Sequence, residues 1–325
     1  MCKSYDVLEA HVLIFAARRL LATIPTLIVV TLLVFSLVRL LPGDPARLQL
    51  GEEATPQALA ELRHQMGLDR PVAMQYASWL GDLGRLNLGK SLQDNTSVAG
   101  LIAQKLPTTF ELALLSLLVA VALALPAGIF SALKPGSLTD RLVTLLALSG
   151  ISLPSFFLGI LLVYAFSVNL AWIPASGYVG LNENAGLNLK LMILPAVTLG
   201  VGSAAVLTRF LRSSLLEVLS QDYVRTARAK GVVGRLVIVK HALRNALIPV
   251  ITVLGLQLGG LLGGAVVTEQ IFSIPGFGRL LVDAVFTRDL PVIQGMVLTS
   301  AALVFLVSFL IDLAYGAIDP RVRYG

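Results

Sequence analysis

From Leu142 to Val168 the sequence has no charged residue, and the same holds for Leu20–Val38, Leu191–Thr208, Ala246–Thr268 and Pro291–Ile311. An uncharged, mainly apolar run of about 20 residues can cross the ~30 Å hydrocarbon core of a bilayer as a helix. In that medium the backbone must satisfy its own hydrogen bonds, and a helix does so within one segment. A further apolar run ends at Leu133. The chain therefore reads as an all-α polytopic membrane protein with six transmembrane helices, at 20–41, 107–133, 142–168, 191–211, 246–268 and 291–316. By length, 325 residues would suit two soluble domains, but only 14% are charged, against about 25% in soluble domains. Pro126 and Pro154 predict kinks in the second and third spans, because proline removes a helical hydrogen bond.

Charge sets the orientation. Six spans place both termini on one side. That side would hold the N-terminus (1–19), the 134–141 link, residues 209–245 and the tail (317–325), with fifteen Lys and Arg and, counting Asp312 near the end of the last span, seven acids. The other side would hold the long region 42–106 and the loops 169–190 and 269–290, with ten basic and twelve acidic residues once Arg39 and Glu111 at the adjoining span ends are counted. The positive-inside rule then makes both termini cytoplasmic. The same bias accounts for the net charge of +6 without a nucleic-acid partner. The single cysteine, Cys2, excludes an internal disulfide framework and a cysteine metal cage. Arg18 and Arg19 precede a run of spanning length, and no small-residue cleavage site follows closely, unlike a cleaved signal.

Gly84–Ser91 matches the phosphate-loop pattern G-x-x-x-x-G-K-S. That pattern needs a buried strand before it and a helix after it. The preceding residues are not a strand core, and the segment falls on the outer side, so any ATP must be bound by another subunit. His11, His64 and His241 are scattered without metal spacing. No Ser/His/Asp constellation can be placed on one side of the membrane, which argues against an enzyme. Gly255, Gly259 and Gly263 recur at four-residue spacing, a smooth helix face for close packing. That packing is either within one subunit or at a subunit interface along a pathway. Glu269 and Asp312 border apolar spans. Ionisable groups there are functional candidates, although the end of a span near the headgroups is also an inexpensive place for a charge.

Residues 222–249 form a basic island in this apolar chain, with Arg225, Arg228, Lys230, Arg235, Lys240 and Arg244. Tyr223, Ala227 and Gly231 share one helical face and Arg225 and Arg228 another. Gly231 can end that helix, and a second helical stretch from about Arg235 leads into the fifth span. Anchoring to anionic headgroups would explain the charge but not the helix–glycine–helix arrangement. Docking of a cytoplasmic partner explains both.

The stretches 222–231 (DYVRTARAKG) and 241–249 (HALRNALIP) resemble the cytoplasmic loop of permease subunits of ABC importers, in the subfamily that takes up dipeptides, oligopeptides, glutathione and nickel. Leu41–Pro45, Gly67–Pro71, Leu106–Thr109, Ile271–Arg279, Arg288–Val292 and Asp319–Arg321 agree with the same subfamily. Arg225, Thr226 and Ala227 replace the Glu-Ala-Ala of the general importer loop, and Ile274 and Leu290 stand where the subfamily often has Trp and Tyr. The resemblance implies a type I importer permease fold with a periplasmic region between helices 1 and 2. It also implies that Tyr223, Arg225, Thr226, Ala227, Arg228, Ala229, Lys230, Gly231, His241, Arg244 and Asn245 couple to an ATPase. Pro154, Gly255, Gly259, Gly263 and Glu269 would serve helix packing or the pathway. Asp44, Asp69, Arg288 and Asp289 would contact a periplasmic or lipid-anchored substrate-binding protein. The implied partners are a second homologous permease, two ABC ATPase subunits and membrane lipid. ATP and Mg would bind those ATPases, with no cofactor on this chain. Small peptides are the expected substrate, with glutathione, nickel or a metal chelate as alternatives. A secondary transporter without an ATPase would call for intramembrane charges and an inverted repeat, and neither is evident.

Overall fold

The computed structural model describes residues 21, 24–36, 39, 44–51 and 55–318, with backbone alone at 45, 48, 49, 264 and 312–318. The expected cytoplasmic N-terminus and the tail after 318 lie outside them, as do parts of the first span and of the 42–106 region. Among the described residues the regular structure is helical, with one isolated β-bridge, Lys90 to Ser97. Four helices are long and apolar enough to cross a membrane, or five if one bent pair counts as a single span.

The chain divides into two compact units, residues up to Pro107 with Gly276–Phe305, and Thr108–Pro275 with Leu306 onward. The first contains α1 (Ile24–Ser36), α2 (Pro45–Leu50), α3 (Pro56–Gln65) and α4 (Val72–Gly84). Both α2 and α3 start on a proline behind a side-chain cap, Asp44 and Thr55, where the missing N–H costs nothing. The unit also holds α12 (Phe277–Phe286) and the first turns of α5 (Val98–Leu133) and α13 (Leu290–Ile318). Val98, Ile102, Phe277, Ala284, Leu290, Val292, Ile293 and Met296 form its core. Gly295 permits that packing, since a Cβ there would lie 2.5 Å from Val98 Cγ1. Phe35, Tyr76 and Trp79 form a second cluster, with Phe35 edge-on to Tyr76 at 5.2 Å.

The second unit holds the rest of α5 and α13 with α6 (Leu138–Ser152), α7 (Ser155–Leu162), α8 (Ala185–Leu219), α9 (Asp222–Ala229), α10 (Gly234–Leu236) and α11 (Arg244–Ile271). The span expected over 142–168 is not one rod. α6 and α7, the latter continuing as a π-helix over Val163–Asn169, are bent by 104°. Leu153 before the proline is extended (φ −77°, ψ 123°), as the proline ring demands of its predecessor. By contrast, α5 stays helical through Pro126.

α8 is the most enclosed of the long apolar helices. It runs well past the span expected at 191–211, so Arg212 lies inside it rather than beyond its end. Small residues make its packing close. A Cβ on Gly200 would lie 2.8 Å from the Ser116 carbonyl oxygen on α5, and one on Gly150 of α6 would lie 3.1 Å from Ala205 on α8. Small faces that bring backbones together are what hold apolar helices in lipid, where no hydrophobic force acts between them.

Candidate coupling site

α9 is short and polar, with Asp222 in its first turn and Arg228 in its last, the charge order that a helix dipole favours. Its carboxyl end is closed by Lys230 N–H to Thr226 O, Gly231 N–H to Arg228 O and Val232 N–H to Ala227 O. Gly231 has φ +78°, a left-handed conformation that glycine adopts without a Cβ clash. No atom lies within 4 Å of the position of its absent Cβ. Val224 is fully buried, Ala227 is partly buried, and Tyr223, Arg225, Thr226, Arg228, Ala229, Lys230 and Gly231 are exposed. One apolar anchor thus holds a helix whose basic face points to solvent. Arg225 and Asp222 are 3.8 Å apart and both exposed, so the pair stabilises little.

Behind α9 the chain turns through Gly234–Leu236 and a π-helical stretch, Val237–Leu243, into α11. Asn245 Nδ2 donates to Tyr223 Oη at 2.8 Å and to the His241 carbonyl at 3.4 Å. His241 is partly buried and Arg244 exposed. Ala242 and Ala246 are fully buried against Leu215 and Ala132, and Ser214 Oγ donates to Ala246 O at 3.0 Å. The two halves of the basic island are therefore joined through Tyr223 and seated on the end of α8.

The expected packing and pathway residues behave differently from one another. Pro154 marks the sharp bend. A Cβ on Gly255 would come within 2.6 Å of Ile311 side-chain atoms, and one on Gly259 would lie 3.9 Å from Val307, so both glycines face α13 within the chain. Gly263 and its neighbour Gly260 face open space. Glu269 is not at an exposed span end. It is fully buried, and Thr109 Oγ1 donates to it at 2.5 Å. The side chain of Asp312 lies outside the described residues.

Of the residues expected to meet a binding protein, Asp44 caps α2 through Ala46 N and accepts from Arg63 Nε at 2.8 Å. Asp69 pairs with His64 Nδ1 at 2.7 Å, and that hydrogen bond lowers its pKa. Both line a cleft of about 970 Å³ shared with Arg39, Arg70, Trp79 and Asp82. Arg288 is exposed at φ +56°. Asp289 corrects the expectation of a surface contact. It is 3% exposed and accepts from Ser91 Oγ at 2.5 Å and Leu92 N at 3.2 Å. Its charge serves the fold of its own unit. Ser91 belongs to the phosphate-loop look-alike, which follows helix α4 rather than a strand and precedes α5 only at Val98. Among the described residues no group of three His, Cys, Asp or Glu side chains can hold a metal.

The comparisons cover most of the chain. Residues 124–324 match the family described as the binding-protein-dependent transport system inner membrane component, and residues 12–113 match its N-terminal component. The chain belongs to this permease family. It is 46% identical to a di/tripeptide transport system permease protein of Pseudomonas aeruginosa, over 95% of this chain and 98% of that one. It is 45% identical to the glutathione transport system permease protein of Escherichia coli K12, over 95% and 99%. In fold it is similar to a chain of the MetNI methionine ABC transporter, with a TM-score of 0.56 at 19% identity, over 68% of this chain and 97% of that one. It is thus a multi-pass inner-membrane permease of an ABC importer, a class that works with ATPase subunits.

Two polar contacts of the permease escape sequence reasoning. Tyr178 Oη donates to Glu111 Oε2 at 2.9 Å, and burial is the main cause that raises the Tyr178 pKa. Asp140 is 5% exposed and pairs with Arg212. The one local hint is the Ser137–Asp140 spacing, since Ser137 Oγ caps α6 at Asp140 N.

Proposed function

We propose that this permease translocates small peptides, and that α9 is the helix that docks on an ATPase subunit. The observation that carries the reading is α9 itself, an exposed basic helix closed by Gly231 and hydrogen-bonded through Tyr223 to the start of α11. Two separate ATPases bind ATP and Mg, a second homologous permease completes the pathway, and a substrate-binding protein delivers cargo to the outer face at Asp44, Asp69 and Arg288. The chain holds no cofactor or catalytic residue of its own, and membrane lipid surrounds it. Both termini are cytoplasmic, which puts the basic island with the ATPases. Closure of the ATPases on ATP moves α9, and motion of the spans as bodies alternates access.

The names of the relatives support a peptide substrate. Di- and tripeptides and glutathione share short length, amide bonds and free ammonium and carboxylate groups. The test is uptake into proteoliposomes holding the complete transporter and its binding protein. Labelled dipeptide should enter only with ATP inside the compartment that the ATPases face, with unlabelled glutathione as competitor. Uptake driven by an ion gradient without ATP would sink the reading. Competition by glutathione alone would move the substrate from dipeptide to glutathione.

A further inference from the structure

We infer that Asp140 and Arg212 are positioning residues for transport, which make the α5–α6 turn and α8 respond as one body to the coupling helix. The inference rests on α9 being the docking element.

The Asp140 carboxylate is saturated. It accepts from Ser131 Oγ, from Gly136 N at 2.8 Å, and from Arg212 Nε and Nη2 at 2.7 and 2.9 Å. Arg212 Nε also reaches Ser131 Oγ at 3.0 Å. These donors come from the end of α5, the turn after it and α8, while Asp140 itself is in the first turn of α6. The two-pronged guanidinium contact fixes direction as well as distance, which a lysine would not do.

The neighbours of Arg212 on α8 engage the other half of the machinery. Leu211 is fully buried and packs with Val250 of α11, Ser214 holds the Ala246 carbonyl, and Leu215 packs on Ala242 and Ala246. α8 then continues to Leu219, and α9 begins at Asp222. A displacement of α9 reaches residues 211–215 within two or three turns, where apolar contacts carry it to α11 and the ion pair carries it to α5 and α6. A buried pair is weak grounds for stability, because apolar residues of the same volume often hold a fold equally well. What such residues lack is the directional lock. The geometry therefore points to transmission.

The test uses the complete transporter in proteoliposomes and reads peptide taken up per ATP hydrolysed, a ratio independent of how much complex assembles. Asp140→Asn and Arg212→Lys keep size but break the fork. Asp140→Leu with Arg212→Met removes both charges and so avoids stranding either one. In each variant, ATP hydrolysis should stay within about twofold of wild type while the ratio falls about tenfold, the range of ordinary coupling free energies. Uptake and hydrolysis that fall together, with the ratio unchanged, would show a staple of the fold and overturn the inference. So would a wild-type ratio in the double variant. Gly231→Trp in the same assay tests docking alone. If it leaves the ratio intact, the docking assignment fails first and the pair has no coupling helix to serve.

Discussion

Replacing Gly200 by alanine adds one methyl group at the tightest point of α8 against α5. The new Cβ would meet Ser116 O at 2.8 Å and Val119 Cβ and Cγ1 at 2.9 Å. The first is backbone and cannot rotate away, so the helices must separate by several tenths of an ångström. Overpacking of this kind costs about 1–3 kcal/mol. Alanine returns up to ~1 kcal/mol through its better helix propensity, so a net loss of roughly 1–2 kcal/mol is expected. Gly263 supplies the control, because its absent Cβ has open space around it and alanine there should be neutral or slightly stabilising in the isolated chain. The measurement is thermal unfolding of each purified variant in detergent. At about 2–4 °C per kcal/mol for chains of 150–250 residues, Gly200→Ala should melt several degrees below wild type and Gly263→Ala should not. Equal or greater stability of Gly200→Ala would refute the close approach of α5 and α8.

Further outcomes follow from the same geometry. Gly231→Trp adds strain of about 1–2 kcal/mol in the left-handed region and a bulky side chain beside the exposed face of α9. ATP hydrolysis should persist while uptake in reconstituted transporter is lost, and normal uptake would dismiss α9 as the docking helix. Tyr223→Phe removes the acceptor for Asn245 and should loosen α9 by about 0.5–1.5 kcal/mol, read as faster amide hydrogen exchange over 222–229, with unchanged exchange counting against the link. Asp289→Ala strands Ser91 Oγ and Leu92 N, at a cost of about 1–3 kcal/mol. Limited proteolysis should then cut within 84–97 sooner than in wild type, and an unaltered cleavage rate would show that the carboxylate does not hold that segment.

What the sequence alone determined is what depends on near neighbours. Four of the apolar runs fold as long helices because lipid leaves the backbone no other partner, and the runs are visible residue by residue. The stop of α9 at Gly231 and the break at Pro154 belong to single residues whose backbone preferences act locally. The tertiary structure decided the fate of the charges. Asp289 meets Ser91 across 198 positions, Thr109 meets Glu269 across 160, and Arg212 meets Asp140 across 72. No local pattern distinguishes those acids from ones left in water, so Asp289 read as a surface contact and Asp140 as part of a link. The glycines show the same divide. A four-residue repeat announces a smooth face, but only the packed helices separate Gly255 and Gly259, which face α13, from Gly263, which faces open space. Burial is a property of what the rest of the chain brings alongside, and each of the buried acids has a partner more than 40 positions away in the sequence.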